Sequence, residues 1–516
     1  MANLELSPRY REVNGPQEAC GITAIFSKTG EPVSPMIPPL QNELQHRGAD
    51  SAGMSTLSNG NIITFVGLGR VAKVFPQNFP FGEHGLISDR AIGHNRYGTS
   101  GGDNKDDSHG AQPITAEWRN RKIAIAYNGN LPNILREKLK SRIPEKIRDG
   151  IFDTQDIANA IVLSPGNSWE EKIKNALNGI YMAYSLTILT DDGRVFGLRG
   201  PSGTWPLWYG ETKDKIIFAS ETRVYKEENI KWKEVESGEL VEATPNGVVR
   251  KKIFEETKQP LRCALHDTYG AKQDSLMTEG GVTYGNFRQE LGRQLAYEYS
   301  IDADLIVGVP NTALVIAKTY AETLGRTVTT LIEKREENGE KSEVRGFIAP
   351  NVDETSRIVS KKYKIANPEL AKDKKVLLID DSLIRGLTMG GDPKNNLKGV
   401  VGFVKDAGAR EVHLAVVLPK FVNGCDMGYY IKKDQLVAVA RNGNGKYIEY
   451  SEGEIANLIG ANSVHYLSIE GVKRAYEKTI GKQDVACMAC VGGEHPLKKI
   501  LQQKTLIKEK DVVYSA

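Results

Sequence analysis

Three sets of residues in this chain have the types and spacing for chemistry. The first is Cys20 in "EACGITAIF" (18–26), preceded by nineteen polar, proline-punctuated residues and followed at once by an apolar strand-like run. A thiol in that position is either packed into a core or presented as a nucleophile. The second is "VLLIDDSLIRGLT" (376–388), an apolar strand running into paired carboxylates and a glycine-bearing loop. In an open parallel sheet the ligand crevice lies beyond the carboxyl ends of the strands, and N–H groups of a loop that opens a helix cradle phosphate. The third is Cys263, Cys425 and the C-x-x-C pair Cys487 and Cys490 in "ACMACVGG". A lone C-x-x-C is a zinc half-site or a redox pair, whereas four thiolates complete the ligand set of a [4Fe–4S] cluster or a structural zinc.

The surrounding pattern indicates what must position these groups. At 516 residues the chain exceeds one ordinary core, so two domains are expected. From Cys20 to about residue 255, short alternating strands such as "KIAIAYNGNL" and "KIIFASET" are interrupted by helical stretches such as 153–164, which predicts an α+β sandwich. After "RKKIFEETKQP" the pattern changes to helix followed by buried strand: "NFRQELGRQLAYEYS", "ADLIVGVP", "ALVIAKTYAETLG", "KVLLIDDS". That alternation predicts a parallel α/β sheet. The charged stretch "EKREENGEKSEVR" (333–345) reads as a mobile loop. With 68 basic against 65 acidic residues the net charge is only +3, which gives no large field for nucleic acid or an anionic membrane. No apolar stretch approaches the roughly 20 residues that span a bilayer, and Arg9, Arg11, Glu12 and Pro16 stand where a signal peptide needs an apolar block. A cytoplasmic protein with reduced thiols is expected, its five cysteines serving metal binding or catalysis.

Cys20 is followed in order by "HRGADSAG" (46–53), "GHNRYGTSG" (93–101), "YNGNL" (127–131) and "FDTQD" (152–156). In that order they resemble the glutaminase domain of the N-terminal-nucleophile (Ntn) amidotransferases. Hydrolysing a glutamine amide needs a nucleophile, a base beside it and donors for the oxyanion. If the chain is cut before Cys20, the new α-amino group, ordinarily titrating at about 7.7–8.0, lies beside its own thiol and serves as the base. The resemblance implies that the Asn128 side chain and the Gly129 backbone N–H form the oxyanion hole, that Arg96 grips the substrate α-carboxylate, and that Asp153 holds its α-ammonium. The family's Asp-Ser-Glu is here Asp153-Thr154-Gln155. Residues 1–19 are then a propeptide.

The segment 376–388 likewise looks like the signature by which phosphoribosyltransferases bind phosphoribosylpyrophosphate. Asp380 and Asp381 would take the ribose hydroxyls and Mg²⁺, with Thr312 as a further Mg²⁺ ligand. Ser382, Arg385, Gly386 and Thr388 would hold the 5-phosphate, and Arg345 would belong to the loop that closes over it. Glutaminase followed by transferase resembles one family over nearly the whole chain, the glutamine phosphoribosylpyrophosphate amidotransferases (amidophosphoribosyltransferases). Their fold is an α+β Ntn hydrolase sandwich followed by an α/β type I phosphoribosyltransferase domain, and they make 5-phosphoribosylamine, which opens purine synthesis. The division implied is propeptide 1–19, glutaminase 20–255, transferase 256–480 and a cysteine-bearing tail 481–516. "QPLRCALHDTYG", "PKFVNGCDMG", "CMAC" and "NLIGANSVHYLSIEGV" are similar to the branch that carries a propeptide and a [4Fe–4S] cluster, held here by Cys263, Cys425, Cys487 and Cys490, with zinc the lesser alternative. Glutamine, phosphoribosylpyrophosphate, inhibitory purine nucleotides and a homo-oligomeric partner are implied with it.

Four departures fall on the transferase side. The family's Arg-Pro-Leu is Trp205-Pro206-Leu207, and its Pro-Asp-Ser-Gly is Pro310-Asn311-Thr312-Ala313. Its Arg-Gly-Thr-Thr is Arg385-Gly386-Leu387-Thr388, followed by the insertion "MGGDPKNNLKG", and its short Asn-Arg-Tyr loop is the longer "EKREENGEKSEVRGF", in which Arg345 and Phe347 match. Losing one charge-assisted phosphate contact costs about 1.5–3 kcal/mol. Two rival expectations therefore stand beside the first: a paralogue that delivers ammonia to another phosphorylated acceptor, and a non-catalytic iron–sulfur regulatory homologue.

Overall fold

The computed structural model describes residues 20–96, 110–147, 152–227, 230–255, 261–337, 340–341, 362–392, 397–425, 427–429 and 431–496. The described residues of the first half form thirteen strands: β1 (Gly21–Ser27), β2 (Ser51–Ser58), β3 (Asn61–Leu68), β4 (Arg90–Arg96), β5 (Ile114–Trp118), β6 (Arg121–Gly129), β7 (Tyr184–Thr190), β8 (Val195–Arg199), β9 (Trp208–Glu211), β10 (Lys215–Ala219), β11 (Lys231–Glu234), β12 (Glu239–Thr244) and β13 (Gly247–Lys252). They form a seven-stranded sheet in the order β11-β9-β10-β1-β4-β2-β3 and a six-stranded sheet in the order β13-β12-β8-β7-β6-β5. All their pairings are antiparallel.

The alternation of β1 explains the layering. Ile22, Ala24 and Phe26 point into a core shared with Ala124 and Ala126 of β6 and Leu189 of β7, between the two sheets. Ile25 points the other way, into a core with Ile37 and Leu40 of the helix Ile37–Glu43. The outer face of the second sheet is covered by the helices Asp153–Leu163 and Trp169–Leu177 through Ile157, Ile161 and Ile173. The result is helix, sheet, sheet, helix, the sandwich expected of the Ntn fold, with β1 at the middle of its sheet and Cys20 at its mouth.

The second half is built on a parallel sheet of four strands in the order Leu305–Gly308, Lys375–Asp380, Glu411–Val416, Ser463–Tyr466. Both faces are apolar, as a strand buried on two sides requires. Leu377 and Ile379 pack with the helices Tyr284–Glu298, Ala313–Thr323 and Ile469–Ile480, whereas Val376 and Leu378 pack with Val400 and Ile455 on the opposite face. The expected α/β domain is therefore present.

One local reading is amended and one segment gains a structure. The stretch expected to be a loop from 333 begins in regular structure: Ile332–Lys334 pairs antiparallel with Tyr363–Ile365, and Glu336–Glu337 with Glu340–Lys341. The insertion after Thr388 turns back on itself, Gly391–Asp392 pairing with Leu397–Lys398. Gly391 has φ +78°, and a Cβ there would lie 2.2 Å from the Leu397 carbonyl oxygen, so only glycine fits. Arg345, Phe347 and residues 1–19 lie outside the described residues. No helix among the described residues is long and apolar enough to cross a membrane.

Candidate active sites

Cys20 is 6% exposed and leads directly into β1. Its carbonyl accepts a hydrogen bond from Arg47 Nε at 3.1 Å. Gly21 is the register partner of Asn95, so the end of β4 that carries Arg96 lies beside the nucleophile. The Arg96 guanidinium sits 5.2 Å from the centre of the Phe152 ring, immediately before the helix that begins at Asp153. Across the sandwich, β6 ends in Asn128 and Gly129. Asn128 is fully buried, and neither its amide nitrogen nor its oxygen has a hydrogen-bond partner in the structure. A buried polar group left in that state costs about 1–3 kcal/mol, and a substrate oxyanion would satisfy the nitrogen, as an acceptor for Nδ2. At Gly129 a Cβ would stand 2.7 Å from the Ala183 carbonyl oxygen and 2.8 Å from the Tyr127 hydroxyl, so glycine keeps this backbone approachable.

The electrostatics bring the same residues together. The Tyr127 phenol is pushed well above its ordinary value, first by burial and then by the negative forms of Asp153, Tyr184 and Cys20. Asp153 accepts from the Leu131 N–H at 3.1 Å and the Thr154 N–H at 2.9 Å. Burial nevertheless raises its carboxyl, with those amides and Arg136 opposing. His94, not singled out from sequence, donates from Nε2 to the Tyr127 carbonyl at 3.0 Å. Burial, helped by Arg96, lowers it from 6.5 to about 3, so this imidazole is neutral and props the strand that ends in Asn128.

The transferase half holds a cavity of about 500 Å³ beyond the carboxyl ends of the parallel strands. Asp380, Asp381, Ser382, Arg385, Gly386, Thr388 and Thr312 all line it. Asp380 accepts from the Asp381 N–H at 2.9 Å, and Ser382 Oγ donates to Asp381 at 2.7 Å. The Asp380 carboxyl is raised well above its usual range by burial and then by the adjacent Asp381 charge. An acidic pair so pressed has a ready use for a cation. Gly386, at φ +78°, precedes Leu387 and Thr388 and would crowd Val437 at 2.8 Å if it bore a Cβ. Arg385 donates to Gln435 at 3.1 Å.

Sequence reasoning missed Lys272, Arg288, Lys334 and Lys362, which also line the cavity and supply cations for a polyanionic ligand. They are scattered over ninety positions with no local motif. It also missed His46 and Arg223, which reach this cavity from the glutaminase half.

Cys263 and Cys487 are register partners in a two-stranded parallel ladder, Arg262–Cys263 with Ala486–Cys487. The Cys490 carbonyl accepts from the N–H groups of Val422 (2.9 Å) and Asn423 (3.0 Å), which brings the C-x-x-C to the segment of Cys425. Cys263 is raised well above its ordinary value by burial, then by Cys487 and Cys425; Cys490 is raised by burial, then by Cys425, Cys263 and Cys487. The four cysteines thus lie within electrostatic reach of one another. As placed, no three His, Cys, Asp or Glu side chains among the described residues stand at metal-binding distances. The donor chemistry suits a thiophilic centre, which would draw the thiols down to thiolates.

A family model described as a glutamine amidotransferase domain matches residues 99–227, and one described as a phosphoribosyl transferase domain matches residues 288–434. The chain is 30% identical to the amidophosphoribosyltransferase of Synechococcus elongatus over 510 residues, covering 96% of this chain and 95% of that one. It is 30% identical to the amidophosphoribosyltransferase of Rattus norvegicus over 546 residues, covering 94% and 99%. Among solved structures, the glutamine phosphoribosylpyrophosphate amidotransferase of Bacillus subtilis, complexed with ADP and GMP, superposes with a TM-score of 0.74 at 27% identity, covering 92% of this chain and 97% of that one.

Proposed function

This chain belongs to the amidophosphoribosyltransferase family, and from that premise we propose how its residues divide the work of a two-site enzyme. The reaction hydrolyses glutamine and passes the ammonia to phosphoribosylpyrophosphate, giving 5-phosphoribosylamine at the first step of purine synthesis. The observation that carries the residue assignment is the fully buried Asn128 amide at the end of β6, without a hydrogen-bond partner in the structure and next in sequence to Tyr127, whose phenol is raised in part by the charge of Cys20.

In the glutaminase, residues 1–19 are removed, and the freed α-amine of Cys20 takes the thiol proton as sulfur attacks the glutamine amide carbon. Asn128 Nδ2 and the Gly129 N–H stabilise the oxyanion. The amine then returns its proton to the departing ammonia, and water cleaves the thioester to release glutamate. Arg96 orients the α-carboxylate and Asp153 the α-ammonium, a cation that restores the ionised form of a carboxyl raised by burial.

In the transferase, Asp380 and Asp381 hold the ribose hydroxyls, and Arg385, Gly386, Thr388 and Ser382 hold the 5-phosphate. Arg345 would add a cation to the same ligand. Ammonia nitrogen bonds to C1 as the bond from C1 to pyrophosphate breaks. Asp380, Asp381 and Thr312 would hold Mg²⁺, which when bound neutralises charge on the departing pyrophosphate. Lys272, Lys334 and Lys362 add cations to the same cavity.

The four cysteines would hold a [4Fe–4S] cluster in preference to zinc, tying the tail to the transferase half as an oxygen-sensitive stability element. Iron content and absorbance near 400 nm of protein purified without oxygen test this. The nucleotides bound to the Bacillus subtilis relative support purine-nucleotide feedback, and a homo-oligomer is carried over from the family resemblance alone. For the reaction, pyrophosphate and glutamate are measured together: one-for-one release is expected. Glutamate without pyrophosphate would favour the second reading, another phosphorylated acceptor, for which Leu387 in place of a hydroxyl is the motive.

A further inference from the structure

Glu221 is fully buried between the two halves, and its carboxylate is shared by four donors. From the glutaminase side come His46 Nε2 at 2.8 Å and Arg47 Nη1 at 2.9 Å, both to Oε1. From the transferase side come the Lys272 N–H at 3.0 Å and Ser275 Oγ at 2.9 Å, both to Oε2. Burial alone would raise this carboxyl, yet His46 and Arg47 outweigh it and hold it well below the usual carboxylate range. It is therefore ionised and cannot exchange partners cheaply.

Two observations make this more than an ion cluster that glues two halves. Arg47, itself buried, uses its Nε to hold the Cys20 carbonyl at 3.1 Å, and thereby the backbone that sets amine against thiol in the nucleophilic residue. At the other end, Lys272 and the neighbouring Ala271, Gln273 and Asp274 wall the transferase cavity, as does His46. A second strut runs parallel, the Leu276 N–H donating to Thr222 Oγ1 at 2.9 Å. One charged group thus touches both the wall of one site and the clamp on the nucleophile of the other.

We propose that Glu221 is a positioning residue of the glutaminase centre, tying Arg47 and through it Cys20 to the 271–275 segment, so that filling of the transferase cavity is felt at the nucleophile. The proposal rests on the reading of Cys20 as nucleophile and of the cavity as the phosphoribosylpyrophosphate site. A neutral residue at 221 leaves Arg47 buried without its counter-charge and free to leave the Cys20 carbonyl. Misplacement of a reacting group by about 1 Å costs on the order of a hundredfold in rate.

The test uses the full chain with three variants. Glu221→Gln is expected to lower kcat for glutamine hydrolysis roughly 10- to 100-fold with the KM for glutamine within about threefold, and Glu221→Asp to recover part of that loss. Ser275→Ala removes only the transferase-side hydroxyl. In it, glutamine hydrolysis without phosphoribosylpyrophosphate should stay within about twofold of the native protein. The rate at which iodoacetamide alkylates Cys20, followed by mass spectrometry, should respond to phosphoribosylpyrophosphate at least about fivefold in the native protein and less than about twofold in Ser275→Ala. If Glu221→Gln fails to fold, the Ser275→Ala comparison decides alone. An alkylation response equal in native and Ser275→Ala protein, or no response in either, overturns the proposal. Native protein that hydrolyses no glutamine instead sinks the functional reading, and the alkylation arm still decides this one.

Discussion

The indole N–H of Trp205 donates to the Met427 carbonyl at 3.2 Å, so a side chain from the glutaminase half is seated in the core of the transferase half. It is 1% exposed, with the ring centres of His266 and Tyr429 at 5.4 and 5.3 Å. Gly428 makes room for it: a Cβ there would lie 2.3 Å from the indole.

Replacing Trp205 by alanine should cost about 3–5 kcal/mol, the range for emptying a buried aromatic site. Loosening this junction should also let ammonia escape, so pyrophosphate formed per glutamate falls below one. Scanning calorimetry and the product ratio check the two effects. Trp205→Arg, which restores the family's residue, should be no better, because its cation enters a pocket built for an indole.

Asn128→Ala separates stability from catalysis. Since its buried amide has no partner to lose, truncation should leave the thermal midpoint unchanged or slightly higher. Loss of an oxyanion donor should lower glutaminase kcat about 10²–10³-fold. A matching fall in melting temperature would show that the amide is bonded within the folded protein.

His94 gives a pH dependence whose sign is determined by burial. Its folded value lies near 3, below the ordinary 6.5. The unfolded chain therefore binds the proton more readily. The contribution is complete above about pH 6.5 and is lost as pH falls from there toward about 3, near 2 kcal/mol between pH 7 and pH 5. Urea denaturation at those two pH values should show a smaller difference in His94→Gln, which carries no titrating ring.

Much of this could be read from the chain. The apolar run after Cys20 forecast a strand, which the fold places between two cores, and the unbroken Val376–Ile379 run forecast a buried strand, which the fold covers on both faces. Asp380 and Asp381 fell at the strand end because that motif is local. What was illegible depends on how the halves dock. Trp205 read only as a departure from the family's arginine, whereas it fills a pocket. His46, Glu221 and Arg223 lie in the first half and reach the second only through tertiary packing. The hairpin of the insertion rests on the positive φ of Gly391, which residue type permits but does not announce.

Asp380→Asn should trade activity for stability. Burial and Asp381 raise the Asp380 carboxyl well above 3.8 in the fold. Its contribution is full below the ordinary value and is lost as pH rises through the folded one, so ionisation at pH 7 is a cost. The neutral amide still accepts from the Asp381 N–H. The thermal midpoint at pH 7 should rise by roughly 2–4 °C for each kcal/mol relieved, with no gain at pH 3, while pyrophosphate release is lost.

Leu387 tests which phosphorylated acceptor the cavity serves. It is the first residue of the short helix Leu387–Gly390, directly after Gly386, in the loop that would hold the 5-phosphate in the proposed reading. A threonine there supplies the hydroxyl that the family's loop carries. One added neutral hydrogen bond contributes about 0.5–1.5 kcal/mol, so Leu387→Thr should lower the KM for phosphoribosylpyrophosphate about two- to tenfold, with kcat unchanged. That split follows because the 5-phosphate is held alike in the ground and transition states. Should Leu387→Thr raise that KM, the leucine is fitted to a ligand with an apolar group at this position, and the reading in which ammonia goes to another acceptor gains.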